Sequence, residues 1–101
     1  MSNSTGSSKD KILNLLGLAY RAHKIVLGEQ VLKQIRKVKL LILASDISEK
    51  SKERYLKKCY YYHIDSRDDI SSDDLSKALG KGNVKVVGII DEGFKKAILE
   101  N

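Results

Sequence analysis

The run "KLLILA", residues 39–44, constrains this chain more than any other stretch. Five apolar residues in succession after Lys39, with no polar alternation, have the length of a buried strand. A buried strand requires a sheet, and the sheet requires helices to cover it. The flanking sequence supplies both. Residues 10–22, "DKILNLLGLAYRA", put Ile12, Leu16, Ala19 and Tyr20 at helical spacing behind Asp10 as a cap. "KIVLG", residues 24–28, is short and rich in β-branched residues, which predicts a strand. Residues 29–37 read as a second helix.

Downstream, "SDISEKSKERYLKKC" (45–59) opens with Asp46 and Glu49 in capping-box spacing and continues as a polar-faced helix. "YYYHI" (60–64) reads as a short strand. The acidic segment 65–74 reads as turn and cap residues before a short helix over 74–79, and "GKGN" (80–83) as a turn. "VKVVGII" (84–90) is a strand, and "DEGFKKAILE" (91–100) a closing helix capped by Asp91. Strands alternating with helices predict a layered α/β domain. With 101 residues the chain holds one modest core. Residues 1–8, "MSNSTGSS", read as a flexible tail, since they lack the basic start and apolar stretch of a signal peptide. The domain is therefore expected over 9–101.

Several chemistries find no support. No apolar run approaches the ~20 residues of a membrane span. The single cysteine, Cys59, excludes an internal disulfide and fits a reducing, cytoplasmic setting. Cys59 and His63 are four residues apart, but only His23 remains as a further nitrogen ligand, so no structural zinc site is expected. Cys59 reads instead as an inert core residue. Neither GxGxxG nor GxxxxGK[ST] occurs. Asp65, Asp68, Asp69, Asp73 and Asp74 lack EF-hand spacing and read as solvated turn residues. Tyr60, Tyr61 and Tyr62 read as packing residues, at most one of them open to a ligand. No metal, cofactor or catalytic group is expected, and the chain reads as a binder rather than an enzyme.

Charge gives a direction. The net charge is +6. Residues 1–40 carry eight lysines and arginines against two acids, whereas 41–101 carry eleven of each sign. This asymmetry points to a polyanionic partner, nucleic acid before membrane, with lysine-rich solubility as the plainer alternative. The helix at 29–37 gathers Val31, Leu32, Ile35 and Val38 on one side and Glu29, Gln30, Lys33, Arg36 and Lys37 on the other. Its first turn would offer unpaired N–H groups to a phosphate, and the cations would extend a positive strip. Glutamine and glutamate there can bond base edges. On composition alone this is equally an ordinary solvated helix face.

The stretch "LLGLAYRAHKIVLGEQVLKQIRKVKLLILASDIS", followed by "VVGIIDEGFKKAIL", closely resembles the YlxQ-type bacterial ribosomal-like proteins. These belong to the kink-turn-RNA-binding superfamily of large-subunit ribosomal proteins L-seven-Ae and L-thirty-e. The resemblance runs from about Lys9 to Leu99 and rests on "LGLAYRA", "GEQVLK" and "DEGF" together. It implies a three-layer α/β/α sandwich around a small mixed four-stranded sheet, without catalysis or cofactor. In the superfamily a Gly-Thr-Asn-Glu-x-x-Lys signature at the start of the second helix reads sheared G·A pairs. The correspondence puts Gly28 at the threonine, Glu29 at the asparagine, Gln30 at the glutamate and Lys33 at the lysine. The loop before the last strand also touches RNA, which here means Gly80, Lys81, Gly82 and Asn83. Two departures stand out. A glutamate carboxylate only accepts hydrogen bonds where asparagine both donates and accepts, and "GKGN" is polar where strong kink-turn binders are apolar.

The expectation is thus a monomeric, cytoplasmic, bacterial RNA-binding protein recognising structured RNA, ribosomal or messenger, through a kink-turn or related internal loop. Ribosomal or translation-factor proteins are expected as neighbours. Lys24, Lys33, Arg36 and Lys37 would hold phosphates, while Gln30 and Glu29 contact base edges. The alternative is a protein-interaction subunit that docks its basic helix on an acidic partner of the transcription or translation machinery.

Overall fold

The structure, a computed structural model, describes residues 7–100, with side chains from Lys9 onward. The apolar run forms β2 (Leu40–Ala44), and all five of its residues are buried. It joins β1 (Ile25–Leu27), β3 (Asp65–Ile70) and β4 (Val86–Ile89) in one sheet of order β1-β4-β2-β3. β4 is antiparallel to β1 and to β2, while β2 and β3 are parallel. The sheet is therefore mixed: β1, β2 and β3 point one way and β4 returns between them.

Successive residues of a strand face opposite sides of the sheet, and the core divides accordingly. On one face Leu40, Ile42, Ala44, Val87 and Ile89 pack with Ile12 and Leu16 of α1 (Ser7–Arg21). Leu75 and Leu79 of α4 (Ser72–Leu79) and Ile98 of α5 (Glu92–Leu99) complete that layer. On the other face Val26, Leu41, Leu43 and Val86 meet Val31 of α2 (Glu29–Lys33) and Ile35 of a 3₁₀ turn (Ile35–Lys37). Tyr55 and Cys59 of α3 (Glu49–Tyr62) close it. Helices on both faces of the sheet make the three-layer α/β/α sandwich. Gly88 sets how closely the second layer sits. A Cβ there would lie 3.0 Å from Val26 Cγ2, 3.2 Å from Val38 Cγ2 and 3.3 Å from Val31 Cγ2.

Several local expectations are corrected. α1 starts at Ser7 rather than behind a cap at Asp10, which lies in its first turn; residues 1–6 of the expected tail lie outside the described residues. The tyrosines do not form a strand. α3 continues through Tyr62, because Tyr55, Cys59 and Tyr62 at helical spacing bury one continuous stripe. It ends at His63, whose left-handed φ of 57° lets the Ile64 N–H reach the Cys59 carbonyl at 2.8 Å. The acidic segment read as turns contains β3. Only Ile70 of that strand is buried, and a polar edge strand carries no apolar alternation by which to find it. Its charges also keep the exposed sheet edge from pairing with other chains.

Asp46 is not the cap of α3; Ser48 is, accepting from the Ser51 N–H at 3.2 Å. Asp46 instead ties the β2–α3 loop to α4, accepting from the Ser72 N–H at 2.8 Å and its hydroxyl at 2.6 Å. α4 starts at Ser72 behind a Ser71 cap, two residues earlier than expected. The helix at 29–37 is two pieces, broken at Gln34, yet Val31, Ile35 and Val38 are all buried as its periodicity requires. Asp91 caps α5 as read, accepting from the Phe94 N–H at 2.9 Å.

Candidate nucleic-acid interface

Strand direction decides what meets what. The C-terminal ends of β1, β2 and β3 and the N-terminal end of β4 lie at the same end of the sheet. The turn into α2, the β2–α3 loop, the start of α4 and the 80–83 loop therefore gather there. Gly28 anchors the first of these, its N–H donating to the Val86 carbonyl at 3.3 Å. Its φ of 54° and ψ of −129° suit glycine; a β-branched residue would adopt them only with strain. No side chain caps α2, so the start of the helix presents backbone N–H groups without a local side-chain partner. Glu29 and Gln30 are exposed in this first turn, and Lys33 is exposed one turn further on. Burial pushes the Tyr55 phenol of α3 up from its usual range; Arg54 opposes the effect and the charge of Glu29 adds to it.

The 80–83 loop reaches this end through a tight turn. Gly80 closes α4 in the left-handed region with φ 66°, and Asn83 repeats that conformation at φ 58°. Ser76 holds the loop, its hydroxyl accepting from the Val84 N–H at 2.9 Å and its carbonyl from the Lys81 N–H at 3.0 Å. Lys81, Gly82 and Asn83 are all exposed.

Lys24, Arg36 and Lys37 lie elsewhere. Lys24 precedes β1 and its carbonyl accepts from the Ile90 N–H, at the far end of the sheet. Arg36 and Lys37 reach the same end, because the α2–3₁₀ segment runs back along the sheet to Lys39, whose N–H bonds the Ile89 carbonyl at 2.6 Å. From Glu29 to Lys37 this is about 12–16 Å of helix. The expected residues thus form a strip with two ends rather than one cluster: Gly28, Glu29, Gln30, Lys33 and the 80–83 loop at one, Lys24, Arg36 and Lys37 at the other.

None of Lys24, Lys33, Arg36, Lys37 or Lys81 enters an ion pair among the described residues. Four aspartates elsewhere do. Asp74 meets Lys9 at 2.6 Å, Asp68 meets Lys52 at 2.7 Å, Asp69 meets Arg67 at 2.7 Å and Asp65 meets Lys95 at 3.4 Å. Each of these aspartates answers its own cation, and no group of three or more metal-ligating side chains converges among the described residues. Cys59 is buried, and desolvation pushes its thiol up to about 11, which leaves it protonated and inert. Among the described residues no helix is long and apolar enough to cross a membrane.

The sequence-level charge count misses one surface. α3 carries five cations against two acids although residues 41–101 are neutral in sum. It also exposes two of the three tyrosines, Tyr60 by 88% and Tyr61 by 74%, so only Tyr62 packs as expected. Once these residues are read as helix, the spacing of Lys50, Arg54, Lys57 and Tyr61 puts them on one face, a signal hidden by reading 60–64 as a strand.

No family model matches the chain. It is similar to the RNA-binding protein YlxQ of Enterococcus faecium, 36% identical over 96 residues that cover 92% of each chain. It is also similar to the RNA-binding protein YlxQ of Bacillus subtilis (strain 168), 38% identical over 88 residues, covering 84% of this chain and 88% of that one. Among solved structures, a protein with unknown function from Bacillus halodurans C superposes with a TM-score of 0.84 at 39% identity, covering 89% of this chain and 94% of the other. A 15.5kD RNA binding protein of Giardia lamblia shares the fold, with a TM-score of 0.75 at 19% identity over 99% of this chain and 87% of that one.

Proposed function

We propose that this chain, which belongs to the YlxQ family, binds structured RNA along the exposed side of its α2–3₁₀ segment. The observation that carries this reading is the contrast within that segment. Val31, Ile35 and Val38 are buried, while Lys33, Arg36 and Lys37 are exposed and have no carboxylate partner among the described residues. The run of exposed cations from Lys33 to Lys37, about 6–8 Å along the segment, suits neighbouring phosphates of an RNA strand. Lys24 adds charge at its far end.

At its near end, Gln30 and Glu29 meet base edges while the uncapped first turn of α2 and Lys33 hold the backbone. The 80–83 loop, with Lys81, Gly82 and Asn83, lies at the same end of the sheet. The target is an internal loop of the kink-turn type or a relative of it, in ribosomal or messenger RNA. The protein acts as a binder rather than a catalyst, in a cytoplasmic ribonucleoprotein. Glu29 favours partners that donate, such as base amino and imino groups.

Fluorescence anisotropy with two RNAs tests this, one a hairpin with a kink-turn internal loop and the other the same hairpin fully paired. Gln30→Ala is expected to cost about 1–3 kcal/mol on the internal-loop RNA and nothing on the paired one. Equal affinities of the unaltered protein for both RNAs would remove the base-reading role. Failure to bind either would remove the function itself.

A further inference from the structure

We infer that α3 carries a second RNA-contact surface, a groove for a single strand that flanks the structured element. The inference rests on the RNA-binding reading above and adds a different ligand chemistry at a different site. A shallow groove runs along the outer side of α3, lined by Lys50, Arg54, Lys57, Lys58 and Tyr61 with Glu53 as its one acid. None of these cations enters an ion pair among the described residues; Lys52, on the neighbouring side of the helix, is the α3 cation held by an aspartate. From Lys50 to Tyr61 the groove spans about 17 Å of helix.

Cations and an exposed ring in one groove are what a single strand asks for. Lysines and arginines track the phosphates, while an aromatic face receives a base that no duplex partner occupies. Tyr61 is 74% exposed, yet its ring is not loose. It meets the Tyr62 ring edge-on at 4.9 Å, and Tyr62 itself packs on the core. That contact pre-orients Tyr61 and reduces the entropy lost when a base stacks on it.

The groove also continues the strip of the first site. Arg36 of the 3₁₀ turn shares a second depression with Tyr61 and Tyr62. A strand leaving the phosphate-binding strip at Arg36 therefore arrives at Tyr61 and then at Lys57, Arg54 and Lys50. An acidic protein is the other conceivable occupant. The groove's composition argues against it, since the cores of protein interfaces are depleted in lysine and this groove has three.

The test compares a blunt kink-turn hairpin with the same hairpin extended at both ends by oligouridylate. The full chain is expected to bind the extended RNA about tenfold more tightly. Tyr61→Ala should remove most of that gain and Tyr61→Phe should keep it. Arg54→Gln/Lys57→Gln should remove the gain and reduce the salt dependence on the extended RNA by about two units. All these positions are exposed or half-packed on the surface, so the variants fold, and none should alter affinity for the blunt hairpin. Gln30→Ala/Lys33→Ala should weaken both RNAs and preserve their ratio. A ratio near one in the unaltered protein, as an acidic-protein groove would give, overturns the inference, and so does a gain that survives in the α3 variants. Loss of blunt binding alone, with the extension still held through Tyr61, would overturn the α2 site and support this one.

Discussion

The α2–α3 layer and the β3–α4 edge use charge in opposite ways. At the β3–α4 edge Asp65, Asp68, Asp69 and Asp74 each meet a lysine or arginine within 3.4 Å, and the fields cancel locally. Across α2, the 3₁₀ turn and α3, the exposed cations Lys33, Arg36, Lys37, Lys50 and Lys57 have no such partner among the described residues. Paired charges at a surface do little beyond fixing geometry, whereas unpaired ones of a single sign sum to a field that draws a polyanion. Folding thus distributes the net charge of +6 unevenly over the surface. Five of the eleven acids of residues 41–101, Asp65, Asp68, Asp69, Asp73 and Asp74, fall on β3 and α4, while the α3 cations join those of the first half.

If the β3–α4 edge is structural and the α2–α3 layer is the binding face, mutations should separate stability from RNA affinity. The largest expected effect is Leu75→Ala in α4. Its side chain is fully buried beneath the acidic edge, and the cavity should cost about 2–5 kcal/mol in urea denaturation. The folded fraction should bind RNA as before; a matching loss of affinity would erase the distinction. Next is Gly88→Ala, which presses on Val26, Val31 and Val38 together. Overpacking should cost about 1–3 kcal/mol. Because it shifts α2, it should also weaken RNA binding, which Leu75→Ala does not.

The smallest effect is on acid stability. The Ser72 hydroxyl and N–H hold the Asp46 carboxyl below the usual carboxylate range, Arg67 does so for Asp69, and Lys9 for Asp74. A carboxyl lowered in the folded state contributes stability above its unfolded pKa, about 3.9, and loses it as pH falls through the lower folded value. Thermal midpoints should therefore decline as pH drops below about 4. Asp46→Asn should flatten part of that decline, and an unchanged decline would remove Asp46 from the acid response.

What the sequence revealed follows from what is local. β2 declared itself by uninterrupted apolar residues, and α5 by Asp91 three positions before Phe94. The two-sidedness of residues 29–38 was legible because burial of Val31, Ile35 and Val38 follows helical pitch even across the break at Gln34. The α3–β3 boundary was not legible. Three tyrosines favour a strand in isolation, and only packing of Tyr55, Cys59 and Tyr62 on the sheet makes them helical. β3 owes its strand to pairing with β2, a neighbour more than twenty residues earlier in the chain. With 60–64 taken as a strand, Tyr61 does not align with Lys50, Arg54 and Lys57, and the groove on α3 has no sequence signal. Asp46 shows the limit most simply: its spacing to Glu49 suggested a local cap, while its partner is Ser72, 26 residues away.

If the unpaired cations of the α2–3₁₀ strip hold RNA phosphates, the salt dependence of binding depends on them. Affinity for the kink-turn hairpin should be measured against salt concentration for three proteins: the unaltered chain, Lys33→Ala/Lys37→Ala, and Lys9→Ala/Lys52→Ala, which removes two cations already paired with Asp74 and Asp68. The slope of log affinity on log salt should become shallower by about two units in the first variant and stay unchanged in the second. An unchanged slope in the first variant, or an equal change in both, would contradict phosphate binding by the strip.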